Sequence, residues 1–142
     1  MQNKIIPSLI RCSRKETYAR KLGIRLIDLE PGRAVVEMKP GDDMLNIFKT
    51  THGGAIFSLI DEAFQLSCNS HGTVAVALSV TVNYHNPPDV KSTLRAESRE
   101  IHRSRKTGTY EIRVTDENNT LIASCQALAY RKREPLPFLD EV

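Results

Sequence analysis

Thr51-His52-Gly53-Gly54-Ala55-Ile56-Phe57-Ser58-Leu59-Ile60-Asp61-Glu62-Ala63-Phe64-Gln65-Leu66-Ser67-Cys68-Asn69-Ser70 is the stretch that decides the fold of this 142-residue chain. Residues 54–70 hold no proline and no interior glycine, and their polar positions are Ser58, Asp61, Glu62, Gln65 and Asn69. On a helix turning about 100° per residue, those five occupy an arc of about 100°. Ile56, Phe57, Leu59, Ile60, Ala63, Phe64, Leu66 and Cys68 fill most of the remainder. A helix apolar over so much of its circumference is buried on most sides. Its polar arc then calls for an interface or a ligand cleft.

Outward from this helix the period changes to two. After Gly72, Val74, Val76, Leu78, Val80 and Val82 alternate with Ala75, Ala77, Ser79, Thr81 and Asn83, which predicts one strand with an apolar face and a small-to-polar face. Asn86-Pro87-Pro88-Asp89 stops it. Three more strands are expected over 93–101, 109–115 and 121–130, with Asp116-Glu117-Asn118-Asn119 as a hairpin loop. Upstream, Pro31-Gly32 is a turn between two strands, at 24–29 and 34–38. Residues 41–51 are a loop. Ser13 and Glu16 have capping-box spacing, Tyr18, Ala19 and Leu22 give a thin apolar side, and Gly23 is placed to end a polar N-terminal helix over 1–23. The tail over 132–142, with Pro135 and Pro137, reads as irregular. Two strands, one buried helix and four strands form a single α+β domain over 1–142, an antiparallel sheet curling around the helix.

Composition narrows the function. The 40% hydrophobic and 26% charged fractions describe a globular chain. No apolar run reaches the ~18–20 residues of a membrane span, and the basic start lacks the apolar block of a signal peptide. Cys12, Cys68 and Cys125 are odd in number and widely spaced, which argues against a disulfide scaffold or a thiolate metal cage and for the cytoplasm. A net charge of +3 and 6% aromatic content give nucleic acid little to bind. His71, His85 and His102 show no metal-ligand spacing.

The residues able to do chemistry gather around the helix. Gly53 and Gly54 let another group approach the backbone closely, and first-turn amides at a positive dipole end suit an anion or a developing oxyanion. The same glycines also serve a tight turn alone. Asp61 and Glu62 are costly in a largely buried helix unless paired or functional, and the helical wheel does not rank one above the other. His52 reads as holding the loop through its ring nitrogens rather than as a base. Arg99, Arg103, Arg105 and Lys106, followed by Thr107-Gly108, form either a solvated turn or a phosphate contact.

The segment Asn46-Ile47-Phe48-Lys49-Thr50-Thr51-His52-Gly53-Gly54 through Asp61, then Cys68-Asn69-Ser70 and Val76 to Tyr84, resembles the hotdog-fold acyl-CoA thioesterases of the PaaI-like, phenylacetic acid degradation-type group. The likeness covers about residues 20–132. It implies that Asp61 is the catalytic carboxylate, as general base or nucleophile, and that the Gly53 amide polarises the thioester carbonyl. It assigns Asn46 to orienting nucleophile or substrate, His52 to the loop or the carbonyl, and Ser79 to holding water or carboxylate. Substrate contacts are expected at Gly54, Thr81 and Asn83, at Asn86, Pro87 and Lys91, and at Arg103, Ser104, Arg105, Lys106, Thr107 and Gly108, raising the phosphate reading of that cluster. The resemblance further implies a homodimer or a dimer of dimers, with sites at the dimer interface. No metal or organic cofactor is needed, coenzyme A being part of the substrate. Two rivals accompany this reading: an acyl-thioester hydratase or dehydratase on the same fold, and a non-catalytic acyl-CoA-binding module.

Overall fold

The computed structural model describes residues 2–140. Helices α1 (Gln2–Lys15) and α2 (Thr17–Leu22) precede strands β1 (Arg25–Glu30) and β2 (Arg33–Met38). A 3-10 turn (Asp42–Met44) leads to the long helix α3 (Gly53–Cys68), and β3 (Thr73–Tyr84), β4 (Leu94–Arg103), β5 (Thr107–Thr115) and β6 (Leu121–Pro135) follow. All six strands join one antiparallel sheet in the order β1-β2-β4-β5-β6-β3, with α3 packed on it chiefly over β2 and β4. This is the hotdog arrangement: one central helix against an antiparallel sheet.

The core forms where the two periodicities meet. Leu59, Ile60, Ala63 and Phe64 of α3 are buried against Val36, Ala96, Ile112 and Ala123, and Phe64 meets Tyr110 edge-on with centroids 5.5 Å apart. Gly32 takes φ +78 at the β1–β2 turn, as the Pro31-Gly32 pair predicts, and its amide donates to Ser70 Oγ at 2.7 Å. Asp116 closes the β5–β6 loop by accepting from the amides of Asn118 and Thr120. Gly23 ends α2 in the left-handed conformation. Among the described residues no helix is long and apolar enough to cross a membrane.

Three expectations are corrected. The N-terminal segment is two helices rather than one, because Glu16 is extended at ψ 115 and its carboxylate is drawn to Gln65 of α3 at 2.8 Å. Ser13 therefore makes no capping box; its hydroxyl donates back to Ile10 O. The stretch from Arg131 is not irregular at its start: β6 runs on to Pro135, opposite Thr73, and Leu136 and Leu139 bury themselves in the core. Finally, β3 does not keep one face throughout. Its register with β6 slips between Ala77 and Ser79, leaving Leu78 as an extra residue. Ala77 pairs with buried Ala129, and after the slip Val80 and Val82 pair with buried Ala127 and Cys125. Ser79, Thr81 and Asn83 thereby alternate onto the face away from α3.

Candidate active site

The site is built around the first turn of α3. His52 is the N-cap residue, and its Nδ1 accepts from the Gly54 amide at 2.8 Å. That bond fixes the neutral tautomer with the proton on Nε2. It also accounts for Gly54: a Cβ there would stand 3.0 Å from His52 Nδ1. The amides of Ala55 and Ile56 turn back to His52 O. The Gly53 amide is left at the helix start without a partner among the described residues, where the helix dipole favours negative charge.

The preceding loop is preorganised by Asn46. Its Oδ1 accepts from the amides of Phe48 and Thr50, at 2.9 and 3.1 Å, and its Nδ2 contacts Thr50 Oγ1 at 2.9 Å. The amide group is thus engaged within its own loop. A cavity of about 270 Å³ opens beside this turn and gathers Asn46, Gly53, Asn86 and Pro87. Two of its residues escaped sequence reasoning. Tyr84 donates its hydroxyl to Gly53 O at 3.1 Å, tying the end of β3 to the start of α3. Thr51 is buried with its hydroxyl oxygen unpaired. The run Tyr84-His85-Asn86-Pro87-Pro88 marked a strand end, and nothing in it announced that the phenol returns to the helix.

Asp61 stands two turns along α3, exposed on the same outward stripe as Gly54 and Phe57. It has no ion pair among the described residues, and no arginine answers it. Desolvation raises its pKa above the usual carboxylate value, and the charge of Glu16 raises it further. Glu62 is different. Burial first, then the neighbouring carboxylates of Glu16 and Asp61, push its pKa up to about 9, and Gln65 Nε2 donates to it at 3.4 Å. Its other surroundings are Arg14, Arg20 and Arg25, in a small cavity toward β1. Glu62 lies half-buried against the N-terminal helices; Asp61 is an unpaired carboxylate facing outward. Those helices also cover part of the polar arc, with Tyr18 Oη 2.9 Å from Ser58 Oγ, so only part of it is left for an interface or ligand.

The remaining predicted residues divide between the two ends of β3. Asn86 donates to Leu121 O at 2.8 Å near the Gly53 end, with Lys91 exposed beyond it. Ser104, Arg105 and Lys106 form the exposed β4–β5 turn, closed by Ser104 and Thr107, while Gly108 is buried behind it. Arg131 donates to Ser104 O and its backbone amide to Lys106 O, so this basic turn lies beside the start of β3, where Ala75 faces Arg131. Twelve strand residues separate the ends by about 36 Å. Within one chain the basic turn does not meet the Gly53 cavity, and no hydrogen bond joins Ser79 to Asp61. No three His, Cys, Asp or Glu side chains gather to hold a metal among the described residues.

Residues 48–123 match the family described as the thioesterase superfamily. The chain is 36% identical over 116 residues to the acyl-coenzyme A thioesterase PaaI of Escherichia coli, covering 82% of this chain and 83% of that one. The solved structure of the E. coli PaaI protein from the phenylacetic acid degradation operon superposes with a TM-score of 0.89 at 31% identity, over 94% of this chain and 97% of that one. A Streptococcus mutans protein solved bound to acetyl CoA superposes with a TM-score of 0.76 at 26% identity, over 80% and 91% of the two chains.

Proposed function

The chain belongs to the thioesterase superfamily, and from that premise we propose that it is an acyl-CoA thioesterase, releasing a carboxylic acid and free coenzyme A. The observation that carries the reading is an unpartnered amide at Gly53 and an unpaired carboxylate at Asp61, both presented by α3. Attack on a thioester builds negative charge on the carbonyl oxygen, which the Gly53 N–H meets without reorganising. Asp61 acts on the carbonyl carbon, as base for a water molecule or as nucleophile, and its raised pKa suits proton transfer near neutral pH. Collapse of the tetrahedral adduct expels the thiolate of coenzyme A. Asn46 and His52 hold the loop that presents Gly53.

One helix does not suffice. Gly53 and Asp61 are eight residues apart, about 12 Å along α3, whereas a reacting carbonyl needs both groups within ~3–3.5 Å. The site therefore takes Gly53 from one copy of the chain and Asp61 from another. Edge strand β3 supports this assembly. Antiparallel pairing of two β3 edges brings the Gly53 end of one copy to the basic turn of the other, so that Arg103, Arg105 and Lys106 reach the phosphates of coenzyme A bound near Asn86 and Pro87. Ser79, Thr81 and Asn83 are then presented across that edge. The proposal is accordingly a homodimer or dimer of dimers, and the absence of disulfides among the described cysteines suits the cytoplasm.

Free-thiol release from a panel of aryl- and fatty acyl-CoAs tests it. The expected result is stoichiometric thiol and carboxylic acid from at least one member. With an enoyl-CoA added to the panel, loss of enoyl absorbance without thiol would replace the proposal with a hydratase, and acyl-CoA recovered intact after prolonged incubation would replace it with a binding module.

A further inference from the structure

The outward stripe of α3 leads from Asp61 into a cleft of about 470 Å³ between α1, α3 and the C-terminal segment. Gln65, one turn beyond Asp61, and Asn69, two turns beyond, line it, so it opens about 6–12 Å along the helix from the carboxylate. Its depth is apolar: Leu9 of α1, Val74 of β3, and Leu136 and Phe138 of the tail. At its polar rim Gln65 donates to Glu16 Oε2 at 2.8 Å, while Glu16 Oε1 is buried without a hydrogen-bond partner among the described residues. The size is that of small-molecule pockets, ~300–1,000 Å³, and a mostly apolar lining with few polar groups at its mouth suits a hydrocarbon.

We propose that this cleft holds the distal part of an unbranched medium-chain acyl group whose thioester carbon stays beside Asp61. The inference rests on the thioesterase reading and names its substrate class. Acetyl, butanoyl and compact aroyl groups end within the turn between Asp61 and Gln65 and stay outside. Each methylene that passes Gln65 leaves water, which is worth about fourfold in kcat/KM. Hydrolysis is therefore flat from acetyl to butanoyl and rises steeply from hexanoyl to decanoyl.

Cys12 is a built-in reporter, being a half-buried lining residue of the cleft while Cys68 and Cys125 are buried. Cys12→Phe fills the space and is expected to lower kcat/KM for decanoyl-CoA at least tenfold, leaving butanoyl-CoA unchanged; Cys12→Ser keeps the wild-type profile. In the wild-type protein, decanoate slows alkylation of Cys12 by N-ethylmaleimide and butanoate does not. A length profile that stays flat, or a Cys12→Phe loss equal for short and long chains, overturns the proposal, as does an alkylation rate indifferent to decanoate. Absence of thiol release from every acyl-CoA instead removes the thioesterase reading, and the alkylation result then judges the cleft by itself.

Discussion

The sheet has two edges, and they are treated in opposite ways. Strand β1 is six residues long, carries Arg25, Asp28 and Glu30, and has α1 packed against it. Strand β3 is twelve residues long, carries no charge, and exposes Val76, Leu78 and Tyr84, Leu78 to 59%. Short, charged and covered is how an edge is kept from pairing; long, apolar and open is how one is offered. The two neighbouring carboxylates of α3 follow the same division. Glu62 turns toward β1, into the small cavity lined by Arg25. Asp61 faces outward, and its charge is felt by Cys125 on β6, the neighbour of β3. The β1 side is finished within one chain, and in the proposed dimer the β3 side is completed by a second copy.

The largest effect should come from closing the open edge. Leu78→Lys places a charge on the exposed bulge of β3, and is expected to yield folded monomers with thiol release reduced at least ~100-fold, since oxyanion donors of this kind contribute that much when in place. Ile27→Lys on β1, also exposed, should leave both assembly and turnover unchanged. Sedimentation and thiol release on the two variants break the comparison if they behave alike.

A smaller effect belongs to the closed side. Burial and the neighbouring carboxylates raise the Glu62 pKa well above its ordinary 4.5, so the native state keeps a proton that the unfolded state loses as pH rises past that value. Stability contributed by that proton is full below the ordinary value and falls as pH rises through the raised one. Glu62→Gln is neutral at every pH and needs no proton. It should leave melting at pH 5 nearly unchanged and raise it at pH 8.5. An equal shift at both pH values would show that Glu62 holds no such proton in the native state.

The large features were legible because they are periodic. The apolar arc of α3, the two-residue alternation of the strands and the Pro31-Gly32 turn each follow from local spacing, and the fold follows from their order. What was hidden depends on contacts distant in sequence. Leu78 continues a perfect alternation while the backbone inserts an extra residue against β6, so Ser79 changes face with no trace in the pattern. Ser13 and Glu16 have the spacing of a capping box, yet Glu16 leaves the helix for a partner 49 residues away. The choice between Asp61 and Glu62 was equally closed to a helical wheel. In the proposed mechanism it turns on which carboxylate the N-terminal helices cover.

The central claim is that Gly53 and Asp61 of different copies form one site, and mixing tests it most directly. Gly53 is the first residue of α3, a position where proline is at home, so Gly53→Pro removes one N–H and keeps the helix. Asp61→Ala removes the carboxylate, with an expected loss of ~100–10,000-fold. Each variant alone should be nearly inactive, and the two refolded together should recover about a quarter of wild-type thiol release, because half of randomly paired dimers carry one intact site of two. A mixture as inactive as its components would place both groups in one chain and contradict the account.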